Sequence, residues 1–324
     1  MLPLPDLTDI RANYRYHAGE MTGSPCFEEW ALGVVDDPEV LDLLATLPTE
    51  KQQANLVFAA ARWHGVEPGP YADLRAFLLG PDWPAVRSTI LGRRTQTNEV
   101  GRLTALVPAL GLLGEEPFAL VELGASAGLC LYPDRYDYVW EGAGALSGTG
   151  GPTLTARADG PVPVPAVPPR VAARIGVDLH PLDVSAADDM AWLRILVWPG
   201  HEERLVRLTA AIEVARAEPP VLLAGDMLDR LDEALALAEA SGGTPVVHHS
   251  AAVAYLDEAA RTALADRMTA LVRAGRCHWI SLEGAQVLPG LAPVAPASGH
   301  PFCLAVDGRQ VGWASGHGAD LTWT

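Results

Sequence analysis

Apolar positions in the first 117 residues recur at helical spacing. Leu56, Val57, Ala60, Ala61 and His64 fall on one face, and Gly65 stops the run. Ser24 before Pro25 reads as an N-cap with proline at the first helical position. Thr49 with Gln52 three residues later reads as a capping box. Helices are also expected near 71–79 and 97–113. No alternating run of β-branched residues interrupts this stretch, so the spacing predicts an all-helical region over residues 1–117.

The texture changes at Pro117. Short apolar runs, Phe118–Leu123, Val171–Leu179, Val221–Ala224, Pro245–His248 and Cys277–Leu282, end in Gly, Asp or Ser. Longer Ala- and Leu-rich stretches lie between them, among them Glu202–Ala217 and Asp257–Ala274. This alternation predicts an α/β domain over residues 118–324, with helices on both faces of a parallel sheet. Phe302–Val306, Asp307-Gly308 and Gln310–Ser315 predict an antiparallel hairpin with an Asp-Gly turn. The Gly- and Pro-rich segment near 141–169 reads as a loop or small β insertion.

Composition narrows the partners. Hydrophobic residues make up 49% of the 324, enough for a sizeable core, and 40 acids against 23 bases give a formal charge of −17. That balance opposes binding to a phosphate backbone, so no nucleic-acid partner is expected. Cys26, Cys130, Cys277 and Cys303 form no CxxC pair, which predicts reduced thiols and no zinc site. The opening residues show no signal peptide, and the uncharged stretch between Glu283 and Asp307 carries too many prolines for a membrane span. A cytoplasmic protein acting on a small molecule is expected.

Candidate chemistry starts at Val121-Glu-Leu-Gly-Ala-Ser-Ala-Gly-Leu129, an apolar strand ending in an acid, a small-residue turn and an expected helix start. Glycine there lets the backbone approach a ligand, and a helix N-terminus offers unpaired N–H groups. Further polar groups close the later strands: Asp178, Asp226, and Ser250 after His248-His249. In a doubly wound sheet such ends line one crevice at the topological switch point, so Glu122, Asp178, Asp226 and Ser250 are expected to converge. The adjacent histidines point to opposite faces and cannot chelate one metal together. No metal site is expected.

On this ordered set of strand ends, residues 118–324 resemble a class I S-adenosylmethionine-dependent methyltransferase. The resemblance implies a Rossmann-like, seven-stranded sheet with its last strand antiparallel. It also implies cofactor contacts from Glu122 (amino group), Gly124, Ser126 and Gly128 (methionine moiety), Asp178 (ribose) and Asp226 (adenine). Methyl transfer to an acceptor carrying a proton needs a base; His249 is the candidate, with Ser250 and Tyr255 facing the substrate. Arg87, Arg93, Arg94 and Arg102 form a basic cluster in an acidic chain. They read either as a solvated face or as a clamp for an anionic substrate, with Arg102 expected beside Glu99 at the crevice. Gln96, Asn98 and Glu99 either cap the following helix or line the crevice.

Gly124-Ala-Ser-Ala-Gly128 also fits the nucleophile elbow of an α/β hydrolase, with Ser126 exposed and Asp226 and His248, His249 or His300 downstream. A nucleoside-binding module without catalysis is a third reading. Over most of its length the chain resembles an uncharacterised bacterial domain family through Gln96-Thr-Asn-Glu-Val-Gly-Arg102, the Gly-Ala-Ser-Ala-Gly-Leu turn, Asp134-Arg-Tyr136, Trp192-Leu-Arg194 and His249-Ser250. Tyr132, Tyr136, Trp192 and Trp198 are expected to pack rather than to bind.

Overall fold

The protein is described here from a computed structural model, over residues 9–21, 23–114, 117–291 and 301–324. Six helices come first: α1 (Ile10–Glu20), α2 (Pro25–Val35), α3 (Pro38–Leu44), α4 (Ala54–Trp63), α5 (Tyr71–Leu78) and α6 (Trp83–Gly92). Then come α7 (Leu103–Gly111), α8 (Ala187–Ile195), α9 (Glu202–Ala217), α10 (Met227–Ala240) and α11 (Glu258–Arg273). The chain divides into two compact units, Met1–Thr97 with Asp188–Val206, and Asn98–Ala187 with Arg207–Thr324.

The first unit is helical. Phe58 packs edge-on against Tyr14, Phe27 and Trp30, and all four rings are buried. The excursion 188–206 belongs to this unit because its partners do. Arg62 donates to the carbonyls of Ile195 and Val197, Trp192 donates to the Arg94 carbonyl, and Arg93 lies over the rings of Trp63 and Trp192. Arg93 also pairs with Asp188 and Asp189. Trp192 and Trp198 thus pack and anchor.

The second unit is built on eleven strands: β1 (Phe118–Leu123), β2 (Asp137–Glu141), β3 (Gly144–Leu146), β4 (Thr153–Asp159), β5 (Val171–Asp178), β6 (Val221–Ala224), β7 (Thr244–Ser250), β8 (His278–Gly284), β9 (Phe302–Val306), β10 (Arg309–Ala314) and β11 (Asp320–Trp323). They form one mixed sheet in the order β3-β2-β4-β11-β10-β9-β8-β7-β1-β5-β6. At its centre β6-β5-β1-β7-β8 are parallel, the doubly wound order with its switch point between β1 and β7. One face of this centre is apolar: Val121, Leu123, Ile175, Val177, Val247 and Trp279 pack against Leu231 and Leu235 of α10 and Leu264 and Met268 of α11. Strand alternation puts Glu122 and its register partner His248 on the other face.

Several expectations are corrected. The sheet has eleven strands rather than seven. The strand antiparallel to β8 is β9, and the last strand, β11, pairs antiparallel with β10 and parallel with β4. The Gly/Pro-rich segment, by contrast, is a β insertion, one of its two readings: β3 and β4 lie in it and, with β2, extend the far edge of the sheet. No helix follows the glycine-rich turn. A 3-10 turn, Leu129–Leu131, stands there, so the proposed helix N-terminus is absent. The helix expected over 97–113 is a 3-10 turn at Val100–Arg102 followed by α7, and Glu99 caps it by accepting the Gly101 N–H. Thr49 begins a 3-10 turn rather than α4, because the Gln52 amide donates back to the Leu47 carbonyl. The Asp-Gly hairpin forms as expected, with Asp307 at φ +50° and Gly308 at φ +80°.

Candidate functional site at the strand ends

The switch point gathers backbone strain and buried charge in one place. Ser126 at φ +53° and Ala251 at φ +51° are two of the three non-glycine residues with positive φ among those described. One follows β1 and the other follows β7. Such conformations cost energy and persist where surrounding structure holds them. Here the holding is visible. The Asp178 carboxylate accepts the Ser126 N–H at 2.8 Å through one oxygen and the His180 N–H at 2.8 Å through the other. Gly124 is at φ +76°, and a Cβ there would collide with the Ala252 Cβ; Gly128 is at φ +72°. Side chains at both positions are excluded.

Residues 98–102 lie against this turn. Asn98 Oδ1 accepts the Leu129 N–H at 2.9 Å, and the Cys130 thiol donates to the Glu99 carbonyl at 3.6 Å. Arg102 donates through Nη1 to the Ser250 carbonyl and through Nε to the Gly316 carbonyl, both at 3.0 Å. Its Nη2 makes no hydrogen bond among the described residues. Glu99 is buried, with the Arg207 guanidinium 3.9 Å away. Gln96 belongs to the first unit.

Glu122 is 3% exposed, and its Oε2 is sealed without a hydrogen-bond partner. Burial pushes its carboxyl well above the usual range. Arg102 opposes the shift, Asp178 reinforces it, and the neighbouring Cys130 thiol also opposes it. Beside it, His248 Nδ1 is sealed and unpartnered, and burial, with His249 adding to it, brings that imidazole down to about 3. Burial and the neighbouring Glu122 hold the Cys130 thiol well above its ordinary value, so it stays protonated.

His249 is fully buried in a separate network on the helical face. Its Nε2 accepts from Trp279 Nε1 at 3.0 Å, so Nδ1 carries the proton and donates to Glu283 Oε1 at 2.9 Å. The same Oε1 accepts the N–H groups of Ala252 and Val253, both at 3.0 Å. Both ring nitrogens are occupied, and the ring braces the loop after β7 instead of facing a ligand. Asp226 caps α10 by accepting the Leu228 N–H. Tyr255 stands on a 3-10 turn, 73% exposed.

Sequence reasoning missed Cys130, Glu283 and Arg174 as parts of this end of the sheet. Glu283 had a signal, since it stands one residue before the end of β8 as Glu122 does in β1. Arg174 is buried and holds Asp134 through two 2.8 Å bonds while lying over the Tyr132 ring. Tyr136 donates to the Leu129 carbonyl. The Asp134-Arg-Tyr136 motif therefore braces the turn.

A cavity of about 810 Å³ runs along α11, with Arg261, Thr269, Arg273, Trp279 and Arg309 in its wall. None of the switch-point side chains lines it. Among the described residues no cluster of His, Cys, Asp or Glu is arranged to hold a metal, and no helix is long and apolar enough to cross a membrane.

These features define an α/β protein with a doubly wound parallel centre, a strained glycine-rich turn at the switch point and a buried acid beneath it. Residues 11–323 match the model of a bacterial family described as "Uncharacterized protein conserved in bacteria (DUF2332)", and the chain belongs to that family. No curated protein and no solved structure matches it.

Proposed function

We propose that this protein is an S-adenosylmethionine-dependent methyltransferase acting on a small, anionic metabolite. The observation that carries this reading is the buried, unpartnered Glu122 oxygen beneath a turn where side chains are excluded, with Asp178 locked against that turn. The donor set fits the cofactor. Gly124, Ser126 and Gly128 allow close backbone approach, and Asp178 and Asp226 are carboxylates, the acceptor type that hydroxyl and amine donors require. Glu122 supplies a carboxyl for the cationic end. When bound, the cofactor supplies a methyl group on a sulfonium. Arg102, fixed by two carbonyls with Nη2 unused, favours an anionic acceptor despite the chain's net charge. Asn98 and Glu99 set the turn and the Arg102 segment in place.

Methyl displacement needs mainly positioning, which a rigid turn provides. With both nitrogens of His249 engaged, no proton-transfer role is assigned to it.

One observation favours the hydrolase reading: Ser126 has the strained backbone of a nucleophile elbow. Against it, Ser126 is buried, no helix follows it, and Asp226 and His249 are engaged elsewhere. His300 lies outside the described residues. Thermal unfolding with S-adenosylmethionine, S-adenosylhomocysteine and a fluorophosphonate separates the two. The methyltransferase reading expects the nucleosides to raise Tm and Ser126 to remain unlabelled. Labelling of Ser126 without a nucleoside effect would replace it.

A further inference from the structure

The arginines on and just after α11 fall into two groups. Toward α10, Arg267 pairs with Asp232, and Arg276, just past the helix, pairs with Glu239. On the other side, Arg261 and Arg273 line the cavity of about 810 Å³, where Arg309, just past the β9–β10 turn, joins them. None of these three makes an ion pair among the described residues. Their one side-chain hydrogen bond runs from Arg261 Nε to the Leu256 carbonyl. The acids of the cavity do not neutralise them. Asp307 has one oxygen on the Trp279 N–H and the other on His278 Nδ1. Glu258 stands in the first turn of α11, where the helix N-terminus favours its charge. Asp266 is exposed to water.

The space between the guanidiniums is long and largely apolar. Arg261, Ala265, Thr269 and Arg273 recur every fourth residue and so form one stripe down α11. From 261 to 273 the helix rises about 18 Å. Small side chains fill the middle of the stripe, and the Thr269 hydroxyl is turned onto the Ala265 carbonyl. Val287, Leu288, Leu291 and the Trp279 ring supply further apolar wall. The indole N–H of Trp279 is engaged by His249, which leaves the ring no donor for a ligand.

We propose that this cavity is a second ligand site, separate from the switch point, which takes an elongated organic anion: an acid group held by the arginines and an aliphatic chain laid along the α11 stripe. The proposal stands without the methyltransferase reading, because none of the switch-point side chains lines the cavity. Guanidinium groups hold a carboxylate through charge-assisted bonds, and the chain takes the apolar wall out of water. A bare inorganic anion would leave that wall wet. A cation of the same length would meet three like charges.

The test is isothermal titration calorimetry of the full-length protein with decanoate, decyltrimethylammonium and inorganic phosphate. Decanoate is expected to bind saturably, one per chain, and the other two at least about tenfold more weakly. Arg273→Ala combined with Arg309→Ala should weaken decanoate at least about tenfold. Arg267→Ala removes the same kind of charge from the other side of α11 and should leave the affinity within about twofold. All three side chains are exposed, and circular dichroism verifies that the variants fold. Absence of saturable decanoate binding overturns the proposal. So does equal binding of decyltrimethylammonium, or equal weakening by Arg267→Ala and the double variant.

Discussion

Folding moves a proton from a histidine to a glutamate without changing the number bound. At pH 5.5 the unfolded chain carries Glu122 ionised and His248 protonated, one proton between them. In the folded protein His248 is held down to about 3 and Glu122 is held well above its usual range, so the pair again carries one proton, now on the carboxyl. The linkage signs are opposite. For His248 the unfolded state binds more protons between about pH 3 and 6.5, so its contribution is full above 6.5 and lost as pH falls. For Glu122 the native state binds more above about pH 4.5, so its contribution is full below 4.5 and lost as pH rises. Above about pH 4.5, and for as long as the raised Glu122 carboxyl keeps its proton, the two slopes oppose each other. Glu122→Gln removes one of them. The stability of that variant relative to wild type is expected to fall on acidification by one proton's worth, about 1.4 kcal/mol per pH unit. His248→Gln should show the opposite relative slope. Urea unfolding of the three proteins at half-unit pH steps measures this, and all other titrating groups drop out of the differences. Parallel curves for all three would refute the assignment of one shared proton.

Three further outcomes follow from the same geometry. Glu283→Ala leaves the His249 Nδ1–H and the Ala252 and Val253 N–H groups without their acceptor, and is expected to lose about 3–5 kcal/mol in urea unfolding, with Glu283→Gln losing clearly less. Ala251→Gly relieves a left-handed backbone and should change stability by about 0 to +1 kcal/mol, whereas Gly124→Ala should destabilise by more than about 1 kcal/mol because it adds both strain and a collision with Ala252. Arg174→Ala removes two of the bonds to Asp134, which keeps Arg135 at 3.1 Å, and about 1–3 kcal/mol of unfolding free energy should disappear.

The central strands were legible because each is a short apolar run with a polar stop, and burial on both faces leaves that mark. Phe118–Leu123 and Val221–Ala224 match the observed strands at both ends. The outer sheet left no such mark. β4 pairs in parallel with β11, Arg157 opposite Asp320, and no local pattern encodes a partner so far along the chain. The turn after β1 was legible as a turn, but its continuation was not. Asn98, Cys130 and Tyr136 hold a 3-10 turn where helical spacing was expected, and those bonds come from outside the motif. At the site, alternation correctly separated His248 from His249 onto two faces. It could not show that Glu283 and Trp279, on the neighbouring strand, close both nitrogens of His249.

The central claim is that the switch point receives S-adenosylmethionine, and calorimetric titration of the full-length protein with that nucleoside tests it most directly. The account predicts saturable binding to one site per chain, weakened at least about tenfold (about 1.4 kcal/mol) by Asp178→Asn, which halves the charge-assisted acceptors at the end of β5. No heat of binding to wild type, or an affinity untouched by Asp178→Asn, would contradict it.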